Sequence, residues 1–213
     1  MAVTMQAVTT QTTTQTTRPS TTTGRGTARR LDRVPRQRGR ADRPTGVERE
    51  LGENQLIVTK TDLRGRITYA NDVFLQISAL EEHEALGQPH SLIRHPDMPR
   101  GLFALLWSTI EAGEEIFAYI ANLASDGARY WVLAHVTPSC GPGGEHVGYH
   151  SNRRRPARAG VVEAERLYAR LRRAEQGLAA RDAADAGRAE LERFLAEQGA
   201  TYSEWLWSLE EEA

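Results

Sequence analysis

The chain has 213 residues, a formal net charge of -1 and 39% hydrophobic residues. That length allows one domain of ordinary size with extensions, or two very small domains. The nearly neutral charge does not favour nucleic acid or a membrane surface as a partner. Cys140 is the only cysteine, which excludes an internal disulfide and favours a cytoplasmic location. No apolar run reaches the ~18 residues of a membrane span, and we expect no signal peptide.

Residues 1–50 have the composition of a disordered tail. Thr, Gln, Ser and Gly dominate residues 9–27, and arginine is frequent in residues 29–49. Such a segment buries too little apolar surface to offset the entropy of the chain. We therefore predict a disordered, solvated tail. The alternative is a basic arm that contacts nucleic acid or an acidic partner.

The most informative stretch is a polar turn at residues 94–99, Arg-His-Pro-Asp-Met-Pro. The spacing of the apolar residues that follow predicts an amphipathic helix over residues 98–111. Asp97 is a suitable N-cap for this helix, and Pro99 fits its first turn, where no backbone donor is needed. A helix N-terminus beside Arg94 attracts anions, so the turn predicts a phosphate site.

The rest of the chain predicts an α+β fold. Strands are expected at residues 55–59, 67–70, 116–124, 129–138 and 146–153. Asn71 would cap a short helix that follows the second strand. Further helices are expected at residues 161–171, 183–197 and 203–211, within a helical C-terminal extension over residues 157–213. A five-stranded antiparallel sheet with helices on one face would satisfy this order of elements.

Seven pieces of the chain resemble the PAS domain of bacterial aerotaxis receptors, which binds FAD. They are residues 61–71, 87–90, 94–99, 103–107, 130–132, 136–138 and 147–149, which read TDLRGRITYAN, GQPH, RHPDMP, FALLW, YWV, VTP and VGY. The resemblance assigns residues 51–156 to a PAS domain. It implies an antiparallel sheet in strand order 2-1-5-4-3, with a ligand cavity between the sheet and the helices.

The same resemblance implies a set of residues that hold FAD, namely Asn71, Arg94, His95, Asp97, Phe103, Trp107 and Asn122. In this interpretation Arg94 and the helix start after Asp97 hold the pyrophosphate. Asn122 presents its amide to the edge of the flavin ring. Phe103 and Trp107, one helical turn apart, wall the cavity, and Trp131 is a weaker candidate.

These residue types also have simpler interpretations. Helix capping alone explains Asp97, and core packing alone explains Phe103 and Trp107. His90 and His95 are candidate haem or metal ligands. No second cluster at ligand spacing accompanies them, so we predict no metal site.

Two functions fit the sequence. The first is a stand-alone cytoplasmic sensor that detects redox or oxygen state through bound FAD. It would relay the signal through its C-terminal helices to a signalling protein such as a chemoreceptor or histidine kinase component, with a homodimer as a further expected assembly. The alternative is a cofactor-free PAS interaction module with Tyr202, Trp205 and Trp207 as binding anchors, unless the tail folds back on the sheet. An enzyme is not expected, because no nucleophile–base pair, phosphate loop or paired carboxylates are recognisable.

Overall fold

The computed structural model describes residues 43–211, which form one sheet with helices packed on it. The strands are β1 (Glu48–Arg49), β2 (Ile57–Thr61), β3 (Ile67–Ala70), β4 (Ile116–Leu123), β5 (Arg129–Cys140) and β6 (His146–Arg154). The helices are α1 (Asp72–Ser78), α2 (Glu82–Ala85), α3 (Arg100–Glu111), α4 (Arg158–Glu175), α5 (Ala180–Gln198) and α6 (Tyr202–Glu211). A short 3-10 helix, His90–Ile93, lies between α2 and α3. No helix within the described range has the length and apolar character needed to cross a bilayer.

The antiparallel strands have the order that the PAS resemblance implies. β2 pairs with β3 and β6, and β5 lies between β6 and β4, so the order is β3-β2-β6-β5-β4. β1 was not expected, and it pairs in parallel with the start of β5, which makes the sheet mixed and six-stranded. The last residues of the tail predicted at 1–50 therefore belong to the sheet, whereas residues 1–42 lie outside the described part. The domain limits at residues 51 and 156 stay a prediction.

Side chains along β4 alternate between the two faces of the sheet. Ile120 and Asn122 point to the face covered by α1, α2 and α3, which we name the inner face. Tyr119 points to the opposite, outer face, where its hydroxyl bonds the carboxylate of Glu210 in α6. The hydroxyl of Tyr168 in α4 donates to the main-chain carbonyl of Tyr119 at 2.7 Å. The C-terminal extension thus covers the outer face.

Aromatic side chains join the C-terminal extension to the sheet. The ring of Trp131 on β5 stacks on that of Tyr168, with 6.2 Å between the ring centroids. Trp207 meets Phe117 of β4 edge to face at 4.8 Å. Trp205 is buried in the core. The interpretation of Trp205 as a free binding anchor is therefore wrong, because the tail folds back on the sheet.

Candidate functional site

A cavity of about 240 Å³ lies between the inner face of the sheet and α3. Its wall includes residues of β2, β4, β5 and β6, of α3 and the 3-10 helix, and of the turn between β2 and β3. Its volume approaches the lower end of the range for small-molecule sites, roughly 300–1,000 Å³. The cavity therefore has the position and the size to enclose a ring system of a ligand.

Four of the seven residues expected to hold a cofactor line this cavity, namely Arg94, Phe103, Trp107 and Asn122. Phe103 and Trp107 lie one turn apart on α3, as the helical spacing predicts. The guanidinium of Arg94 lies 3.8 Å above the ring of Phe103. Its Nη2 donates to two main-chain carbonyls of the turn, at 3.1 and 3.2 Å. Arg94 is thus held in place over an aromatic wall of the cavity.

Asn122 is 3% exposed, and its side-chain Nδ2 has no hydrogen-bond partner among residues 43–211. Its backbone forms an antiparallel bridge with Arg94, so the polar turn runs along the edge of β4. The hydroxyl of Ser151, on β6, also lines the cavity and also has no partner in the described part of the chain. Buried polar groups nearly always have partners, so two such groups in one cavity point to a ligand.

The other three expected residues, Asn71, His95 and Asp97, do not line the cavity. Asn71 caps α1 as predicted, because its Oδ1 accepts from the N–H of Phe74 at 3.1 Å. His95 is buried, and its Nδ1 accepts from the N–H of Asp97 at 3.2 Å. Burial lowers the pKa of His95, an effect that the carboxylate of Asp97 partly offsets. Asp97 itself is exposed to solvent.

The N-terminus of α3 differs from the prediction. α3 begins at Arg100, and the side chain of Asp97 does not cap it. The carboxylate of Glu175, at the end of α4, instead accepts hydrogen bonds from the N–H groups of Arg100 and Gly101, at 2.9 and 2.8 Å. A carboxylate at a helix N-terminus interacts favourably with the helix dipole. The prediction of a phosphate site at this helix start is therefore wrong, since an anion of the chain itself occupies it.

Two glycines allow α5 to cross α3 closely. A Cβ atom added to Gly101 would lie 2.7 Å from the Cα of Gly187, which is far too close for two carbon atoms. A Cβ atom on Gly187 would in turn collide with the carboxylate of Glu175. We name Gly101, Gly187 and Glu175 the glycine junction, and it ties α3 to the C-terminal helices.

Sequence reasoning missed Arg153, a buried residue of β6 that lines the cavity. Its Nη1 donates to the hydroxyl of Thr59 at 3.1 Å, and its Nη2 donates to Nε2 of His90 at 2.8 Å. In the sequence it stands in a run of three arginines at 153–155, a pattern typical of a solvated surface. The strand period of two was the available signal, since it places Arg153 on the same face as Ser151.

Positive charge dominates the wall of the cavity. Arg64, Arg94 and Arg153 line it, and none of its lining residues in the described range is acidic. Burial lowers the pKa of Arg94 and of Arg153 to about 10, so both side chains stay cationic near neutral pH. Burial, followed by the charge of Arg153, lowers the pKa of His90 well below its usual value. His90 is therefore neutral and does not add to this charge.

Residues 43–211 contain no group of three or more His, Cys, Asp or Glu side chains that could hold a metal ion. His90 lines the cavity, whereas His95 does not. The two histidines considered as haem or metal ligands therefore do not share a site.

Comparison with known proteins finds domains similar to the one that contains this cavity. Residues 57–150 match the family model described as the PAS fold. The chain is 38% identical to the aerotaxis receptor of Escherichia coli (strain K12) over 121 residues, which are 57% of this chain and 24% of the receptor. It is 30% identical to the nitrogen fixation regulatory protein of Klebsiella pneumoniae over 92 residues, 43% of this chain and 19% of that protein.

One similar solved structure is the PAS domain of a protein from Colwellia psychrerythraea, with a TM-score of 0.41 and 23% identity. It matches 47% of this chain and 86% of that one. The chain spans about a quarter of the length of the aerotaxis receptor. Residues 57–150 therefore form a PAS domain, and this part of the chain is similar to the aerotaxis receptor.

Proposed function

We propose that this PAS domain is a sensory module that binds a flavin in its cavity and passes a change in flavin redox state to its C-terminal helices. The observation that carries the proposal is the buried Nδ2 of Asn122, which has no partner among the described residues and lines the cavity. The similarity to an aerotaxis receptor and to a nitrogen fixation regulatory protein supports a signalling role. A cytoplasmic location is part of the same proposal.

The residues present fit a flavin. Phe103 and Trp107 offer aromatic surface to a planar ring, and Asn122 and Ser151 offer hydrogen-bonding groups to its polar edge. When bound, a flavin accepts and releases electrons, and the protein supplies binding, orientation and electrostatics. FAD, which the sequence motifs imply, is the flavin we propose. With Glu175 at the start of α3, its phosphates would depend on Arg94 and not on the helix dipole.

The relay would run through β4 and α3, because both elements touch the cavity and the C-terminal helices. β4 carries Asn122 on its inner face, and its main chain at Tyr119 accepts a hydrogen bond from Tyr168 of α4. α3 carries Phe103, and its first turn is bound by Glu175 of α4. A rearranged hydrogen bond at Asn122 would therefore act on elements that hold α4 directly.

The signal would pass to a chemoreceptor or a histidine kinase component, which the C-terminal helices would contact. The protein would act either as a homodimer or as a single chain bound to that partner. The similarity to the aerotaxis receptor supports a receiver of this class. The cofactor-free interaction module is the weaker alternative, because its anchor Trp205 is buried inside the chain.

The experiment is the visible absorption spectrum of the purified protein, with the released cofactor identified as FAD or FMN by chromatography. We expect flavin bands at about one flavin per chain. Asn122→Ala and Arg94→Ala should each weaken flavin binding by roughly tenfold or more, since each removes a polar contact worth about 1–3 kcal/mol. A colourless protein that cannot be loaded with any flavin would overturn the proposal.

The matched controls are Asn54→Ala and Arg166→Ala, at exposed positions that do not line the cavity. Both variants should keep the full flavin content. Circular dichroism of all four variants separates loss of the ligand from loss of the fold. Full flavin content in the Asn122 and Arg94 variants would refute the assignment of these two residues.

A further inference from the structure

Arg153 is a buried cation that faces the cavity. It is 6% exposed, and it lies on the inner face of β6, two residues after Ser151. No carboxylate forms an ion pair with it within the described part of the chain. Taking a guanidinium out of water costs several kcal/mol unless an anion or several hydrogen bonds compensate for the lost solvent.

The neighbours of Arg153 compensate for its charge only in part. A guanidinium has five N–H donors, and the bonds to Thr59 and His90 use two of them. The remaining three have no partner among residues 43–211. Both partners are neutral, because Nε2 of His90 must be unprotonated to accept the hydrogen bond from Arg153.

The remainder of the cavity wall does not supply the missing anion. Its lining residues include Arg64 and Arg94 but no Asp or Glu within the described range. Tyr130 does not supply it either, because burial raises the pKa of this phenol above its ordinary value and keeps it neutral. A ligand is therefore the remaining source of negative charge for this part of the cavity.

We propose that Arg153, supported by Thr59 and His90, is an anion-recognition site inside the cavity, and that it selects a ligand edge that is negative or becomes negative on reduction. The inference rests on the proposed flavin. Hydride transfer from a reduced nicotinamide would bring two electrons and one proton to a bound flavin, which would leave one negative charge on the ring and oxidise the nicotinamide to its cation. Arg153 would stabilise that charge by donating hydrogen bonds, with no proton leaving the guanidinium.

The experiment compares the midpoint potential of the flavin-loaded wild-type protein with that of Arg153→Gln, by reductive titration against a reference dye. Arg153→Gln should weaken binding of the reduced flavin relative to the oxidised flavin by tenfold or more. For a two-electron couple, a tenfold change lowers the potential by about 30 mV. Arg153→Lys keeps the charge and should retain most of the wild-type potential.

Arg154→Gln is the matched control, because Arg154 is the next residue of the same strand. It points to the outer face, where it pairs with Glu210 at 2.7 Å, so its replacement should leave the potential unchanged. An unchanged potential in Arg153→Gln would overturn the inference while the proposed flavin function survives.

A measurement on the wild-type protein keeps the inference testable if Arg153→Gln does not fold. Dissociation constants for oxidised and reduced flavin should differ by tenfold or more, in favour of the reduced form. A preference for the oxidised form would overturn the inference. A chain that binds no flavin in either state would refute the proposed function, and with it this inference.

Discussion

The N-terminus of α3 and the cavity around Arg153 both attract anions, but they differ in whether the chain supplies one. At the N-terminus of α3, the free N–H groups of Arg100 and Gly101 are bound by Glu175 from α4. In the cavity, the partners of Arg153 among residues 43–211 are the neutral side chains of Thr59 and His90. The anion at the helix N-terminus comes from the chain itself and joins α3 to the C-terminal helices. The described residues provide no anion for Arg153, which suits a ligand site.

The largest expected effect on stability comes from disrupting the glycine junction at Gly101. In a helix, Gly→Ala normally stabilises by about 1 kcal/mol. Here the new Cβ would lie 2.7 Å from the Cα of Gly187. Forced overpacking costs about 1–3 kcal/mol or more, so the clash should dominate. We expect Gly101→Ala to lower the free energy of unfolding by about 2 kcal/mol, measured by urea denaturation.

Gly52→Ala is the control for this substitution. Its Cβ would meet only the flexible side chain of Gln55, at 3.1 Å. We expect a change within about 0.5 kcal/mol, as for ordinary surface substitutions. A Gly101→Ala protein that is as stable as the Gly52→Ala protein would show that α5 does not cross α3 as closely as described.

Acid should lower the stability of the protein through His90, which accepts a hydrogen bond from Arg153 in the cavity. The pKa of His90 is lowered in the folded state, so between that pKa and about 6.5 the unfolded chain binds a proton that the folded chain does not. Stability should therefore be greatest above pH ~6.5 and fall as the pH decreases, by at most about 1.4 kcal/mol per pH unit from this residue. Urea denaturation between pH 7 and pH 5 measures the slope, to which buried His95 adds in the same direction.

His90→Gln should reduce that slope, because glutamine can accept a hydrogen bond from Arg153 but does not titrate. His83→Gln, at an exposed position of α2, is the control and should keep the wild-type slope. Equal slopes in the two variants would contradict a neutral, buried His90.

The smallest of the three effects is expected from Glu175→Gln. The variant keeps the shape of the side chain but removes its charge from the N-terminus of α3. Charges at helix ends are worth about 0.3–1 kcal/mol, so we expect a loss in that range. Thermal denaturation at low and high salt measures it, and salt should weaken the difference.

Glu192→Gln serves as the comparison, because Glu192 is exposed and pairs with Arg188 on the same helix. Such exposed pairs contribute about 0.3–0.5 kcal/mol. If both glutamine variants lose the same small amount of stability at every salt concentration, the carboxylate of Glu175 stabilises the protein no more than an exposed surface charge does.

Local patterns were sufficient to predict most of the sheet and the start of α1. Asn71 could be recognised as a cap because the hydrogen bond that caps α1 joins it to Phe74, three residues away. Glu175 could not be recognised, since its bond to Gly101 joins residues 74 positions apart. Without that contact in view, the nearest carboxylate, Asp97, was the natural cap to predict.

The residues of the candidate site likewise fall into those that local patterns predict and those that only long-range contacts reveal. Phe103 and Trp107 follow from the helical period, and Asn122 was conspicuous as an amide in an apolar strand. Arg153 was overlooked because its neighbours in sequence are also arginines. Its burial depends on Thr59, which lies 94 positions away and meets it across the β2–β6 pairing.

The distribution of the four tryptophans gives each half of the proposed relay its own optical reporter. Trp107 lies in the cavity wall, whereas Trp131 and Trp207 lie on the outer face and Trp205 within the tail. The fluorescence of a chain that retains Trp107 alone would follow occupancy of the cavity, because a bound flavin would quench the nearby indole. A chain that retains Trp207 alone would follow undocking of α6. The two emission signals could then be timed against each other in a single stopped-flow experiment.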